Sequence, residues 1–439
     1  MSYEPHTPEE ERALLEFLGL KSADELFAHV PKELSARSFN LPEPKSEEEL
    51  RRYFYDKAGR VKTPVCFAGA GAYDRIVPSP IWQLLNRGEF LTPYTPYQPE
   101  ASQGILQALF EYQSMVCELT GMDAANASLY DGASATAEAV LMLSSFKKGY
   151  VLLPESLNPL YARVVKTYLK GPGLPVKTAP IGPEGTVELN ELERLLPGAS
   201  VLVLQQPNFL GYLEPLKEVG ELCERHGVPL AVVADPVALA LLKPPAAFGA
   251  WAVVGEGQPL GVPLSFGGPY AGFFAVRKEL IRKMPGRLVG LARDRKGRRA
   301  FTLVLQTREQ HVRRERATSN VCTSQTLIAI ANAMYLTLLG PEGLKEVARQ
   351  SVSKAYYLKN ELLRLGFTEP FTGRHLWEFP LLHESLPGLH RELLKEGFLF
   401  GVPLGPFYPE LKNAVLLAVT EKRTRDEMDR LVETVKHLA

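Results

Sequence analysis

Short, wholly apolar runs alternate with helix-period segments over most of this chain. Between Thr63 and Arg316 the runs Val151–Leu153, Val201–Leu204, Leu230–Ala234, Ala252–Val254 and Phe273–Val276 are continuous rather than alternating. Continuous apolar strands bounded by turn residues suit a parallel sheet covered on both faces. The segments between them carry helix punctuation. Asn158-Pro159 opens one helix, Asn190 is expected to cap another, and Pro215 starts one that stops at Gly227. From Ser102 to Thr120, Leu106, Leu109, Phe110, Val116 and Cys117 fall on a helical period that Gly121 ends. Strand and helix in alternation predict an α/β sandwich with a mostly parallel sheet.

Both ends of the chain read differently. At the start, Thr7-Pro8-Glu9-Glu10 offers a cap, a proline at the first helical position and acids at the positive helix end. Ser22 to Glu25 fits a capping box, residues 40–44 are extended, and Ser46 to Glu49 begins another helix. Such an arm either wraps a partner subunit or packs on its own domain, and the pattern leaves both open. Near the other end, Ser324–Leu339 and Pro341–Leu365 predict two long helices, the second ended by Gly366. Short strands are expected near Leu376–Phe379 and Val415–Val419, then a helix with the capping box Thr424 to Glu427. The expected organisation is a helical arm over 1–62, a large α/β domain over 63–323 and a smaller α+β domain over 324–439.

Composition narrows the function classes. The 439 residues suffice for two domains, and 50 basic against 50 acidic residues give zero formal charge. That balance argues against a nucleic-acid or anionic-membrane binder. The four cysteines are far apart, so neither a metal pattern nor a disulfide framework is expected. The N-terminus is acidic and polar, and no uninterrupted apolar run approaches about 18 residues. A cytoplasmic location and an oligomer, favoured by the missing net charge, are the expectations.

The chemistry-bearing residues begin at Asp235, which ends the apolar run from Leu230. Pyridoxal-phosphate (PLP) enzymes place there the carboxylate that keeps the pyridine nitrogen protonated. An aspartate before Pro236 also suits the capping of a turn, and both readings stand. A Schiff-base lysine should follow about one strand later. Leu260 occupies that stretch instead; Lys243 comes too soon after Asp235, and Lys278 lies beyond the next strand. Gly132-Ala133-Ser134-Ala135-Thr136-Ala137-Glu138 opens a helix with small residues, which leaves backbone N–H groups and the hydroxyls of Ser134 and Thr136 for a phosphate, or serves only close packing. The run Gly255-x-Gly257-x-x-x-Gly261 has the wrong spacing for a dinucleotide fingerprint. Pro93, Pro96 and Pro99 stiffen a loop that displays Tyr94, Tyr97 and Gln98, suited to an active-site wall or a subunit contact. Finally, Thr318, Ser319 and Asn320 cluster hydroxyl and amide groups before a helix, an arrangement suited to an anion or to a solvated hinge.

Three stretches carry a resemblance: FLTPYTPYQPEASQGILQALFEYQSMVCELTGMDAANASLYDGASATAEA, VVGEGQPLGVPLSFGGPYAGFFA and RRERATSNVCTSQTL. Together they resemble the P-protein family of the glycine cleavage system, glycine dehydrogenase (decarboxylating), in its split two-chain form and on the side of subunit 1. The resemblance implies the aminotransferase-like PLP-dependent transferase fold (fold type I). It also implies a homologous subunit 2 that bears the PLP lysine, while this chain has Leu260 near that position and no catalytic residue of its own. Glycine bound to the partner's PLP loses carbon dioxide, and its aminomethyl group passes to the lipoyl disulfide of H-protein. In that reading Thr318, Ser319 and Asn320 reach the partner's PLP phosphate, and Tyr94, Tyr97 and Gln98 line the substrate entrance. Ser134, Thr136 and Asp235 remain as a relict pocket, and the assembly is an α2β2 heterotetramer. The alternative is a scaffold or regulatory subunit on a relict PLP fold.

Overall fold

Alternate residues of the apolar strands point to two separate cores. Val151, Leu153, Val201, Val203, Ala231, Val233, Ala252 and Val254 enter one. Leu152, Leu202, Leu204, Leu230, Val232, Ala234 and Val253 enter the other. This period of two, with every position apolar, is what a sheet covered on both faces requires. The computed structural model describes residues 6–34 and 40–438. Residues 1–5 and 35–39 of the expected arm, and residue 439, lie outside the described residues.

The sheet has seven strands: β1 (Ala124–Ala125), β2 (Tyr150–Pro154), β3 (Val176–Ala179), β4 (Ala199–Gln206), β5 (Leu230–Ala234), β6 (Ala252–Glu256) and β7 (Gly272–Val276). Their spatial order is β1-β7-β6-β5-β4-β2-β3. The pairs from β3 across to β6 are parallel, whereas β7 runs antiparallel to both β6 and β1. The ends of β5 and β6 therefore lie side by side at one edge, with Val233 opposite Val254. A second sheet of three antiparallel strands, Glu378–Leu382, Ala414–Ala418 and Val402–Pro403, belongs to the C-terminal part.

The chain divides into two compact units, Met1–Lys62 and Thr63–Ala439. In the first, helices α1 (Pro8–Leu18) and α2 (Glu47–Gly59) each start with a complete capping box, Thr7 with Glu10 and Ser46 with Glu49. Ser22 makes no such cap; the turn after it is a short 3-10 segment, and Glu25 instead accepts the Lys21 N–H. In the second unit, α3 (Gln103–Thr120) ends at Gly121 in the left-handed conformation. Next come α4 (Gly132–Ser144) and α5 (Pro159–Leu169), which Asn158 caps through its side chain. The helix expected from Asn190 starts earlier, because the Glu188 carboxylate takes the capping bond from the Glu191 N–H.

The C-terminal helical run α6 spans Thr326–Arg364 and is broken at Gly340, whose φ of 61° precedes Pro341. The two expected helices thus abut at that residue. By length and composition α6 also meets the requirement for crossing a membrane. Its residues Ile328 to Ala331 and Tyr335 are buried in the core shared with α3, which suits a core helix of a globular unit. The capping box of Thr424 with Glu427 forms as expected.

Candidate functional site

The end of β5 delivers Asp235 to the C-terminal edge of the sheet, where open α/β folds bind ligands. One carboxylate oxygen accepts the N–H groups of Val237 at 2.8 Å and Ala238 at 3.1 Å, so the residue caps the following turn. It also lines a cavity of about 30 Å³ with Tyr73, Asn158, Tyr161, Gln205 and Glu256. That space is on the scale of a single water molecule, and no lysine contributes to its wall. Burial raises the Asp235 pKa, opposed by the Arg75 charge and the two amides.

Around this cavity lies a group of buried acids and phenols that sequence reasoning missed. The Tyr73 hydroxyl donates to Glu378 at 2.5 Å, and the Ala70 N–H donates to the other oxygen of that carboxylate at 2.6 Å. Burial pushes Glu378 up to about 7. Arg75 pairs with Glu421 at 2.6 Å while its guanidinium lies 4.7 Å from the Trp377 ring centre. The sequence signal was a glutamate at the end of an otherwise apolar strand, last in one at Glu256 and first in another at Glu378.

The phosphate-cup expectation needs correction. Ser134 and Thr136 do not offer free hydroxyls. The Ser134 hydroxyl accepts the Asp131 N–H and donates to the Asp131 carbonyl, while Asp131 in return caps the Ser134 N–H at 2.7 Å. The Thr136 hydroxyl donates to the Gly132 carbonyl at 2.7 Å. An aspartate at the N-cap closes a reciprocal box and consumes the polar groups locally. The Gly132 N–H is taken too, by Glu256 at 2.9 Å.

Leu260 follows β6 in a turn and is buried. It lines a small cavity together with Tyr112, Pro236 and Phe273. Its carbonyl and that of Gly257 both accept from the Asn332 side chain, at 2.8 and 2.9 Å. The glycine-rich turn is therefore packed against α6.

The other candidates form a separate group gathered by Arg287. This buried guanidinium donates to the Tyr97 hydroxyl at 3.0 Å and to the Cys322 carbonyl at 2.6 Å. The Cys322 N–H donates to Tyr130, and the Gln325 N–H to Ser128, both just ahead of α4. The Ser319 hydroxyl accepts the Val321 N–H and lies near the Glu138 side chain on α4; Glu138 is held at about 7, raised by burial and moderated by that hydroxyl. Four segments far apart in sequence thus meet on one face. Tyr94, Gln98, Thr318 and Asn320 stand exposed on these segments, Tyr94 at 82%.

A family model described as "Glycine cleavage system P-protein" matches residues 1–435. The chain belongs to the glycine cleavage system P-protein family. It is 62% identical to the "Probable glycine dehydrogenase (decarboxylating) subunit 1" of Aquifex aeolicus, over 98% of this chain and 99% of the relative. To the protein of the same description from Carboxydothermus hydrogenoformans it is 48% identical, over 99% of each chain. Among solved structures it is similar to glycine decarboxylase (P-protein) of the glycine cleavage system in inhibitor-bound form, with a TM-score of 0.91, 42% identity and full coverage of both chains. A cysteine desulfurase from Thermococcus onnurineus NA1, at 14% identity and TM-score 0.64 over 91% of this chain and 99% of that one, shares the fold alone. The architecture is that of PLP-dependent enzymes of fold type I, yet the residues around Asp235 do not fit the cofactor. The cavity is too small, its wall lacks a lysine, and the Gly132 and Ser134 N–H groups at the start of α4 are already bonded.

Proposed function

We propose that this P-protein chain is the lysine-less subunit of a two-chain, cytoplasmic glycine dehydrogenase (decarboxylating). It pairs with a homologous subunit that holds PLP, in an α2β2 assembly, to decarboxylate glycine and hand the aminomethyl group to the lipoyl arm of H-protein. The observation that carries this reading is the filled, lysine-free pocket beside Asp235 in a chain 62% identical to a subunit 1. PLP on the partner supplies the electron sink for the decarboxylation.

This chain's own part is to build walls. Its Arg287 group stiffens the face that carries Tyr94, Tyr97, Gln98, Thr318 and Asn320, and the Cys322 and Gln325 N–H groups tie that face to the segment ahead of α4. Preorganised hydroxyl and amide groups of this kind lose little freedom on meeting a charged group. In this reading Thr318 and Asn320 reach the partner's cofactor phosphate, with Ser319 holding their run in place, and the tyrosine loop lines the substrate entrance. The first unit supports the pairing through the exposed side chains of Leu14, Phe17, Leu18 and Phe54.

The test is glycine–bicarbonate exchange with this chain alone, the partner alone and the two mixed. Activity only in the mixture is expected. Equal activity from the partner alone would overturn the proposal in favour of a scaffold.

A further inference from the structure

We infer that Glu256 holds, within this chain, the seat that the phosphate of a cofactor would occupy, and that with Tyr161 it shuts the Asp235 pocket to free PLP. The inference rests on the reading of that pocket as the relict of a cofactor site. It goes further by naming the residue that replaces the ligand.

Glu256 is the last residue of β6, beside the end of β5, so its side chain emerges at the same edge as Asp235. One oxygen accepts the Gly132 N–H at the first turn of α4, at 2.9 Å. The other accepts the N–H groups of Gln258 at 3.0 Å and Ala271 at 3.3 Å. Three backbone donors from three segments thus converge on one internal carboxylate. A bound phosphate at this helix start would use the same kind of donors. The carboxylate satisfies them without any ligand, and a buried donor left without a partner is costly.

Gly132 shows how tightly the seat is filled. A methyl group there would lie 2.4 Å from the Tyr161 hydroxyl and 3.0 Å from the Glu256 β-carbon. The missing side chain, which in a phosphate cup admits the ligand to the backbone, here admits Glu256 and Tyr161 instead. Both residues then line what is left of the cavity beside Asp235. The charges around it are acidic as well. Asp131 and Asp235 both act on Tyr161 together with Glu256, and the one guanidinium acting on Asp235, Arg75, is paired with Glu421. A phosphate dianion entering this seat meets carboxylates and no free cation among the cavity's lining residues. The consequence for the assembly is that this subunit does not compete with its partner for cofactor.

The experiment uses the full chain, with inorganic phosphate as probe, in calorimetric titrations and in thermal melts against chloride at equal ionic strength. Glu256→Ala removes the carboxyl group and frees three N–H groups. It is expected to bind phosphate saturably, at least about tenfold more tightly than wild type. Glu256→Gln still fills the seat and is expected to bind none. A folded Glu256→Ala chain that binds phosphate no better than wild type overturns the inference, as does equal binding by Glu256→Gln. Should Glu256→Ala fail to fold in chloride, refolding in phosphate is the second measurement. Recovery specific to phosphate supports the inference and its absence overturns it. None of these readouts involves the partner or activity, so failure here leaves the pairing proposal standing, and failure of the exchange assay leaves this result intact.

Discussion

Glu421→Gln is the perturbation whose consequence follows most fully from the structure. Glu421 and Arg75 have side chains 4% and 1% exposed and meet at 2.6 Å. The same carboxylate accepts the Ile76 N–H at 2.8 Å through its second oxygen, and the Ser351 hydroxyl at 3.3 Å. A glutamine keeps the shape and one acceptor for Ile76 but removes the countercharge. Arg75 is then left with the Ser351 hydroxyl at 3.2 Å and the faces of Trp377 and Tyr73. Two of its guanidinium nitrogens already have no partner. Breaking a buried pair on one side costs about 3–5 kcal/mol, because an uncompensated charge stays in the interior. The retained Ile76 bond places the variant near the low end, at about 3 kcal/mol. Urea unfolding followed by tryptophan fluorescence is the assay, since Trp377 stacks on the affected guanidinium. The double variant Arg75→Met with Glu421→Gln removes the stranded charge and is expected to recover most of the loss. A single variant within about 1 kcal/mol of wild type, or a double variant less stable than the single, would refute the reasoning.

Three further outcomes are expected. Burial pushes Glu138, Glu256 and Glu378 up to about 7 from an ordinary 4.5, so the folded chain holds their protons more tightly than the unfolded chain. Their stabilisation is fully present below the unfolded value of 4.5 and is lost as pH rises through 7; melting temperature should fall from about pH 5 to pH 8, less steeply in Glu378→Gln, and a steady rise over that range contradicts this. Gly132→Ala drives a methyl into Tyr161 and Glu256 and should cost about 1–3 kcal/mol in the same urea assay. Thr318→Ala with Asn320→Ala should leave this chain's own unfolding free energy within about 0.5 kcal/mol of wild type. It should also weaken PLP retention by the assembled enzyme by at least about a hundredfold, at roughly 1.5–3 kcal/mol for each bond to a charged phosphate. Unchanged retention in a dialysis assay removes the phosphate role.

The sheet was legible because burial on both faces leaves a strand no polar position, and five of its seven strands read so. Val176–Ala179 escaped notice because it is an edge strand with Lys177 and Thr178 exposed. The hairpin of Val289–Arg293 with Arg299–Leu303 was hidden by its arginines, which leave no continuous apolar run to read. Of the two expected capping boxes, the one at Thr424 forms and the one at Ser22 does not, because a 3-10 turn follows and the serine makes no capping bond; the helix starts read at Thr7 and Ser46 both carry boxes. The pocket was half legible. Asp235 and Gly132 announce themselves by position, one after a strand and one before a helix. Their occupant does not. Glu256 meets Gly132 across 124 residues and Tyr73 meets Glu378 across 305, and no local pattern encodes such pairings. The Arg287 group was likewise invisible, since Tyr97 lies 190 residues from the guanidinium that fixes it.

The division of labour between two chains is tested most directly by labelled borohydride reduction of the assembled enzyme with PLP, followed by peptide mapping of both subunits. The account predicts a reduced pyridoxyl adduct on one lysine of the partner and none on this chain. A stoichiometric adduct on any lysine here, Lys243 and Lys278 included, would contradict it.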